Sequence, residues 1–208
     1  MSSTAAPVTL SDLIPRPTSR QQATLRDVAL VVGFALFTAL CAQLSIRLSF
    51  TPVPITGQTL GVLLSGATLG ASKGAASQAL YWALGATGLP FYAAGGRSRG
   101  GWHVATGSNA GYFVGFIAAA GLVGYMAQRR QDRTFVTAVP AMLVGTAVIY
   151  VLGVAWLAYY LGIPVATGDP AKNAIGLGLS PFLIGDAIKL LIAGALTPLI
   201  WRMSTDER

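Results

Sequence analysis

Charged side chains are scarce in this chain. Only 10% of its 208 residues are Asp, Glu, Lys or Arg, whereas a soluble domain carries about a quarter. The uncharged stretches are each longer than the roughly 18 residues that make a membrane-spanning helix a candidate. They run from Arg47 to Lys73, from Lys73 to Arg97, from Arg99 to Arg129 and from Arg133 to Asp169. A surface so poor in charge excludes a classical cytosolic enzyme and predicts that the solvent is a lipid bilayer.

Cysteine and histidine are equally scarce. The single cysteine, Cys41, excludes an internal disulfide and is expected to be a small apolar filler. The single histidine, His103, has no nearby carboxylate with which to form a metal site. Lys73 does not lie in a phosphate-binding loop, and the surroundings of Ser108 do not match a nucleophile elbow. We therefore expect a protein that is not an enzyme, with no catalytic residue, metal or cofactor.

Positive charge exceeds negative charge by seven. Nucleic-acid binding is one interpretation, but the basic residues form short clusters between apolar stretches. This pattern favours the bias of membrane proteins toward basic cytoplasmic loops. With the N-terminus inside, nine Lys and Arg residues are cytoplasmic and four are external. The external four are Arg47, Arg97, Arg99 and Lys172. Both termini are therefore predicted to be cytoplasmic.

Apolar segments predict the fold class. There are six of them, at about Val28–Leu48, Gln58–Leu69, Gly74–Leu89, Gly111–Gln128, Phe135–Leu161 and Pro181–Arg202. We expect an all-α membrane protein, a compact bundle of six transmembrane helices over residues 26–203. Residues 1–25 are rich in Ser, Thr, Pro and Arg, so we expect a disordered cytoplasmic tail there, with a short C-terminal tail at 204–208.

The second segment is too short to cross the membrane alone. At 1.5 Å per residue, Gln58–Leu69 does not span a hydrocarbon core of roughly 30 Å unless it is extended or packed inside the bundle. The stretch Thr51-Pro52-Val53-Pro54 precedes it. Irregular backbone survives at membrane depth only where protein covers it or water reaches it. We predict that this stretch forms the lip of a cavity covered by external loops. Those loops are 49–57, 93–110 and 162–180.

Three polar motifs are candidates for ligand binding. Asp186 and Lys189 lie one helical turn apart in the last apolar segment, so they serve either a ligand or only each other. Arg97 and Arg99 lie in a Gly-rich loop, where they either hold an anion or remain solvated. Gln58 begins the short segment and either contacts a ligand or caps the helix.

Five stretches in series resemble the BioY family, the biotin-binding substrate component of energy-coupling factor (ECF) transporters. They are 52–66 (Pro-Val-Pro-Ile-Thr-Gly-Gln-Thr-Leu-Gly-Val-Leu-Leu-Ser-Gly), Gly85–Pro90, the Gly-rich loop at 95–101, Gly111-Tyr112 and Gly185–Lys189. The resemblance implies a six-helix bundle that binds biotin near its outer face. It also implies that the protein lies in the plasma membrane and assembles with a transmembrane coupling protein and two ATPase subunits.

The resemblance also implies roles for particular residues. Asp186 would accept hydrogen bonds from the ureido ring of biotin, and Lys189 would pair with the valerate carboxylate. Arg99 or Arg97 would help from the loop, and Gln58 and Tyr112 belong to the matching motifs. The small residues Ala35 and Ala39 would form the surface of the first helix that docks the coupling protein. The alternatives are a substrate component for a different vitamin and an intramembrane enzyme.

Overall fold

The structure, a computed structural model, describes residues 8–93 and 99–206. It is almost entirely helical. The helices are α1 (Arg20–Gln43), α2 (Gln58–Leu69), α3 (Ala71–Ala86), α4 (Trp102–Ala105), α5 (Ala110–Gln128), α6 (Phe135–Leu161), α7 (Ala174–Gly178) and α8 (Leu183–Asp206). Short 3₁₀ turns lie at Leu10–Leu13, Pro170–Lys172 and Ser180–Phe182. Two strands, β1 (Ser45–Ile46) and β2 (Ile55–Thr56), pair antiparallel and close the loop between α1 and α2.

The predicted all-helical membrane character is confirmed. Each apolar segment of the sequence overlaps one of the longer helices. Four stretches are long and apolar enough to cross a membrane, and they are Arg20–Gln43, Ala110–Gln128, Phe135–Leu161 and Ala174–Ser204. Their length and apolar composition favour a lipid environment for these helices.

The short helix α2 is packed inside the bundle. It contacts α1, α3, α5 and α8, and the side chains of Val62 and Leu63 are fully buried. Gly70 separates α2 from α3 with a positive φ of 80°, a conformation that glycine adopts without strain. Residues 58–86 therefore form two helices joined at one glycine. Of the two alternatives for the short segment, the structure shows the one in which it is packed inside the bundle.

The structure differs from the disordered tail predicted at 1–25 in two places: α1 already begins at Arg20, and residues 8–14 are packed. Leu10 and Ser11 are buried, and the 3₁₀ turn that contains them contacts α2 and α8. The Arg26 guanidinium donates hydrogen bonds to the Ser11 carbonyl and, at 3.1 Å, to the Ile14 carbonyl. This segment packs against the bundle because its Leu10 side chain is buried there. The hydrogen bonds from Arg26 of α1 also satisfy two of its backbone carbonyls. At the other end, α8 continues to Asp206, beyond the predicted boundary.

The predicted docking surface on α1 is wrong in its position. Ala35 is 0% exposed and Ala39 is 7% exposed, and both belong to the hydrophobic core. At this level α1 and α2 approach closely, since a Cβ added at Gly61 would lie 3.1 Å from the Thr38 Cα. The small residues therefore permit packing within the chain and are inaccessible to a partner. Ala29 and Gly33 are exposed on the opposite side of α1.

The two ends of the bundle have different cores. One end is aliphatic, with Leu63, Met142 and Leu190 at its centre. The other end is aromatic, and the rings of Tyr92 and Phe113 stack there with centroids 4.7 Å apart. The loops before α2, α5 and α8 lie around the aromatic end, and a cavity lies among them.

Candidate functional site

A cavity lies between the loop before α2 and the facing sides of α5, α6 and α8. The empty space within it, open mouth included, measures about 720 Å³. Val53 and Pro54 line it, which confirms that the proline-containing stretch forms a cavity lip. Residues from two of the three predicted loops line the cavity. The third, 162–180, contacts the lip through the 2.6 Å hydrogen bond from the Thr51 hydroxyl to the Leu177 carbonyl.

Aromatic rings form much of the cavity wall. They belong to Tyr92, Tyr112, Phe113, Phe116, Tyr150 and Phe182. The Tyr112 hydroxyl donates a 2.7 Å hydrogen bond to the Gly178 carbonyl, and this bond ties α5 to α7. Tyr112 fits because glycines face it, since a Cβ added at Gly153 would overlap its ring and one at Gly178 would overlap its hydroxyl. The wall is therefore suited to an apolar ring or chain.

Asp186 is the centre of the polar contacts in the cavity. It is 5% exposed and lies near the start of α8. The Thr59 hydroxyl donates to its Oδ1 at 3.0 Å, and the Tyr150 hydroxyl donates to its Oδ2. Lys189 forms an ion pair with Oδ1. One carboxylate thus joins α2, α6 and α8, and both of its oxygens have partners.

Lys189 completes the pair that its spacing predicts. Its ammonium donates to the Thr56 carbonyl at 2.5 Å, in addition to the ion pair with Asp186. The Lys189 side chain is 15% exposed. It is therefore a largely buried cation whose charge is balanced by its neighbour on the same helix, and it also fixes the backbone at the end of β2.

Gln58 also lines the cavity, and its helix is capped by a neighbour. The Thr56 hydroxyl accepts from the Gln58 N–H at 3.3 Å and donates to Gln58 Oε1 at 2.7 Å. The Gln58 amide then donates to the Tyr81 hydroxyl at 2.6 Å. Thr56 thus provides the cap, while the amide of Gln58 links the cavity floor to α3. The sequence contained no signal for the contribution of Tyr81.

Of the two candidates in the Gly-rich loop, the structure describes only Arg99, and it does not bring Arg99 into the cavity. Arg97 lies outside the described residues. Arg99 is exposed and is not among the residues that line the cavity. Its carbonyl accepts from the Tyr92 N–H at 2.8 Å, and the neighbouring Gly101 N–H donates to the Gly85 carbonyl at 2.7 Å. These backbone contacts fix the end of the loop against α3, while the Arg99 side chain is directed to solvent.

Sequence reasoning missed Thr59 and Tyr150, which contact Asp186, and two further polar residues of the cavity. Arg47 lines the mouth, although the sequence marked it only as an external basic residue. Asn109 lines the wall at the start of α5, and its Oδ1 is buried without a hydrogen-bond partner among the described residues. The side chain does not cap α5, because the backbone of Asn109 is helical (φ −94°, ψ −1°) rather than extended. Asn109 Oδ1 is therefore an acceptor without a partner among the described residues, on a residue that lines the cavity.

These features define a class of protein: an apolar helical bundle of the membrane type that encloses an aromatic-walled cavity with a buried ion pair. No cluster of three potential metal ligands occurs within residues 8–93 and 99–206. A model of the BioY family matches residues 17–206. The chain belongs to the BioY family, in agreement with the motifs of the sequence.

The similarity to named relatives extends over most of the chain. The "Biotin transporter BioY" of Rhizobium etli is 34% identical over 179 residues, which cover 82% of this chain and 90% of that protein. The protein of the same name from Thermotoga maritima is 36% identical over 169 residues, covering 80% and 92%. These relatives are named as transporters and not as enzymes, which agrees with the prediction that the chain is not an enzyme.

A solved structure has the same fold. The crystal structure of the S-component for biotin from an ECF-type ABC transporter matches with a TM-score of 0.73 at 22% identity. The match covers 89% of this chain and 95% of the solved chain. At this identity the likeness establishes the arrangement of the helices, and the function is argued from the cavity.

Proposed function

We propose that this protein captures biotin at the outer face of the plasma membrane and delivers it for uptake. The observation that carries the proposal is the buried Asp186 carboxylate, which lies with Thr59, Tyr150 and Lys189 at one end of an aromatic-walled cavity. The ureido ring of biotin has two N–H donors and one carbonyl, which match a carboxylate acceptor beside hydroxyl and ammonium donors. The apolar thiophane ring and chain match the aromatic wall. The names of the relatives support the same ligand.

Binding to the purified chain tests this function. Calorimetric titration of the detergent-solubilised protein should give saturable, one-to-one binding of biotin. A panel of other vitamins, such as thiamine and riboflavin, should not compete, because their rings do not offer the ureido pattern. Absence of biotin binding to a folded protein would reject the proposal, and competition by another vitamin would favour the alternative substrate.

We infer that transport depends on other subunits. The sequence contains no phosphate-binding loop, so the energy of ATP hydrolysis must come from a transmembrane coupling protein and two ATPase subunits, the ECF module. Binding itself uses only side chains of this chain and needs no cofactor. The coupling protein has to contact a surface other than the buried Ala35 and Ala39.

The proposed arrangement in the membrane has six spanning helices and two cytoplasmic termini. The asymmetry of nine basic residues inside against four outside supports it. In a background in which buried Cys41 is replaced by Ala, Lys172→Cys should react with an impermeant maleimide added to intact cells. Arg129→Cys should react only after the cells are opened. Both parent side chains are exposed, and the reverse labelling pattern would place the cavity mouth on the cytoplasmic side.

The free acceptor on Asn109 should contribute to biotin affinity. Asn109→Leu keeps the approximate volume but removes the carbonyl, so biotin should bind roughly 2- to 10-fold more weakly, the effect of one neutral hydrogen bond. Thr106→Val is a matched control, because its hydroxyl donates to the Trp102 carbonyl, away from the cavity. Titration of both variants checks this prediction. Equal affinity in Asn109→Leu and the parent would show that the carbonyl does not contact the ligand.

A further inference from the structure

The charges that line the cavity are unevenly distributed. Within residues 8–93 and 99–206, the charged side chains of the lining are Arg47, Asp186 and Lys189. Asp186 and Lys189 form an ion pair with each other at the inner end. The remaining charge is the Arg47 guanidinium, so the described lining has a net charge of +1. A monoanionic ligand would neutralise it.

The inner end is poorly suited to a carboxylate. The Lys189 ammonium is already engaged by the Asp186 carboxylate and by the Thr56 carbonyl. A second carboxylate beside this pair would leave one negative charge without compensation at a site where Asp186 is 5% exposed. Burial of an unpaired charge is strongly unfavourable. The pair therefore presents a neutral, polar surface, which suits the uncharged ureido ring.

Arg47 differs from the Asp186–Lys189 pair in both exposure and pairing. Its side chain is exposed at the cavity mouth, beside the lip residues Val53 and Pro54. No salt bridge to Arg47 is formed by any of the described acidic residues. The guanidinium has five N–H donors in a planar arrangement that binds a carboxylate through two parallel hydrogen bonds.

The β1–β2 ribbon holds Arg47 near the binding groups. Its neighbour Ile46 pairs with Ile55, and the adjacent Ser45 pairs with Thr56. Thr56 is the residue whose carbonyl accepts from Lys189. The same short ribbon thus connects the backbone of Arg47 to the residue whose carbonyl binds Lys189.

We propose that Arg47 binds the carboxylate of the ligand and thereby selects an anionic molecule. The inference rests on the proposed function and adds the orientation of the ligand. The ureido ring lies inside, at Asp186, and the carboxylate lies at the mouth, at Arg47. The ligand class is a small molecule with a neutral hydrogen-bonding ring and one terminal carboxylate, separated by an apolar chain that contacts the aromatic wall.

The test compares biotin with its uncharged methyl ester. Arg47→Gln removes the cation but keeps a polar side chain, and it should weaken biotin by about tenfold or more, the effect of losing a charge-assisted hydrogen bond. The ester should bind Arg47→Gln and the parent with equal affinity. Arg47→Lys should recover part of the affinity for biotin, because it restores the charge without the paired N–H groups.

A matched control separates this local contact from general electrostatics. Lys172→Gln removes another exposed cation, whose partner is Asp169 at 3.2 Å, outside the cavity lining. It should leave both affinities unchanged. Added salt should weaken biotin binding to the parent and leave ester binding unchanged, because Arg47 is exposed to solvent.

Each result has one interpretation. If Arg47→Gln weakens biotin and ester equally, or leaves biotin unchanged, the carboxylate does not bind at Arg47 and the inference is overturned. If the parent binds biotin and the ester equally well, the cavity does not select for charge and the inference also fails, while the proposed function stands. If the folded parent binds neither ligand, the proposed function itself is rejected.

Discussion

Asp186→Asn should weaken biotin binding by about 100-fold. The asparagine keeps the shape of the side chain but replaces one acceptor oxygen by an N–H donor, and it removes the negative charge. A charge-assisted hydrogen bond contributes roughly 1.5–3 kcal/mol, the upper part of which corresponds to about 100-fold in affinity, and Asp186 supplies such an acceptor to a ureido N–H group of biotin. The methyl ester should lose affinity to the same extent, since Asp186 contacts the ring and not the chain. Calorimetric titration with both ligands measures the effect.

The matched control for this variant is Asp169→Asn. Asp169 is half exposed and its partner is Lys172, outside the cavity, so its loss should leave biotin affinity unchanged. Thermal melts establish whether each variant is folded, because Asp186 also accepts from Thr59 and Tyr150. Unchanged biotin binding in a folded Asp186→Asn protein would remove Asp186 from the site.

The contrast between apolar and polar residues explains what the sequence could predict. Asp186 and Lys189 stand out because ionisable side chains are rare within membrane helices, and their spacing of three implies contact. Helix α2 was predicted with its observed bounds because the proline-containing stretch and Gly70 delimit it. The fold class could be predicted because it depends only on the long uncharged stretches, whatever the arrangement in which the helices pack.

Contacts between distant parts of the chain were beyond a single sequence. Thr59 and Tyr150 reach Asp186 from 127 and 36 residues away, and neither residue type is unusual in a membrane helix. Ala35 and Ala39 share a face by their spacing, but spacing does not say whether that face points to the bundle or to the lipid. Arg47 is distinguished from Arg99 and Lys172, the other described basic residues that the sequence predicts to be external, by the ribbon that places it at the cavity mouth.

Lys189→Met should destabilise the protein and weaken biotin and its ester equally. Methionine keeps the apolar stem but leaves the buried Asp186 carboxylate without its cation, and breaking a buried ion pair in this way costs roughly 3–5 kcal/mol. The melting temperature should therefore fall, with both ligands affected because the acceptor for the ring is no longer held in place. Lys172→Met is the control, and it should melt like the parent because its partner Asp169 is solvated.

The double variant Asp186→Asn/Lys189→Met separates folding from binding. If the pair is mutually compensating, removing both charges should restore most of the stability lost in Lys189→Met, because no uncompensated charge remains. Biotin binding should stay weak, since the acceptor for the ureido ring is still missing. A melt of Lys189→Met that matches the parent would refute the coupling. If Lys189→Met weakened biotin but not the ester, the carboxylate would lie at Lys189, as the family resemblance implies, and the orientation with Arg47 at the mouth would be wrong.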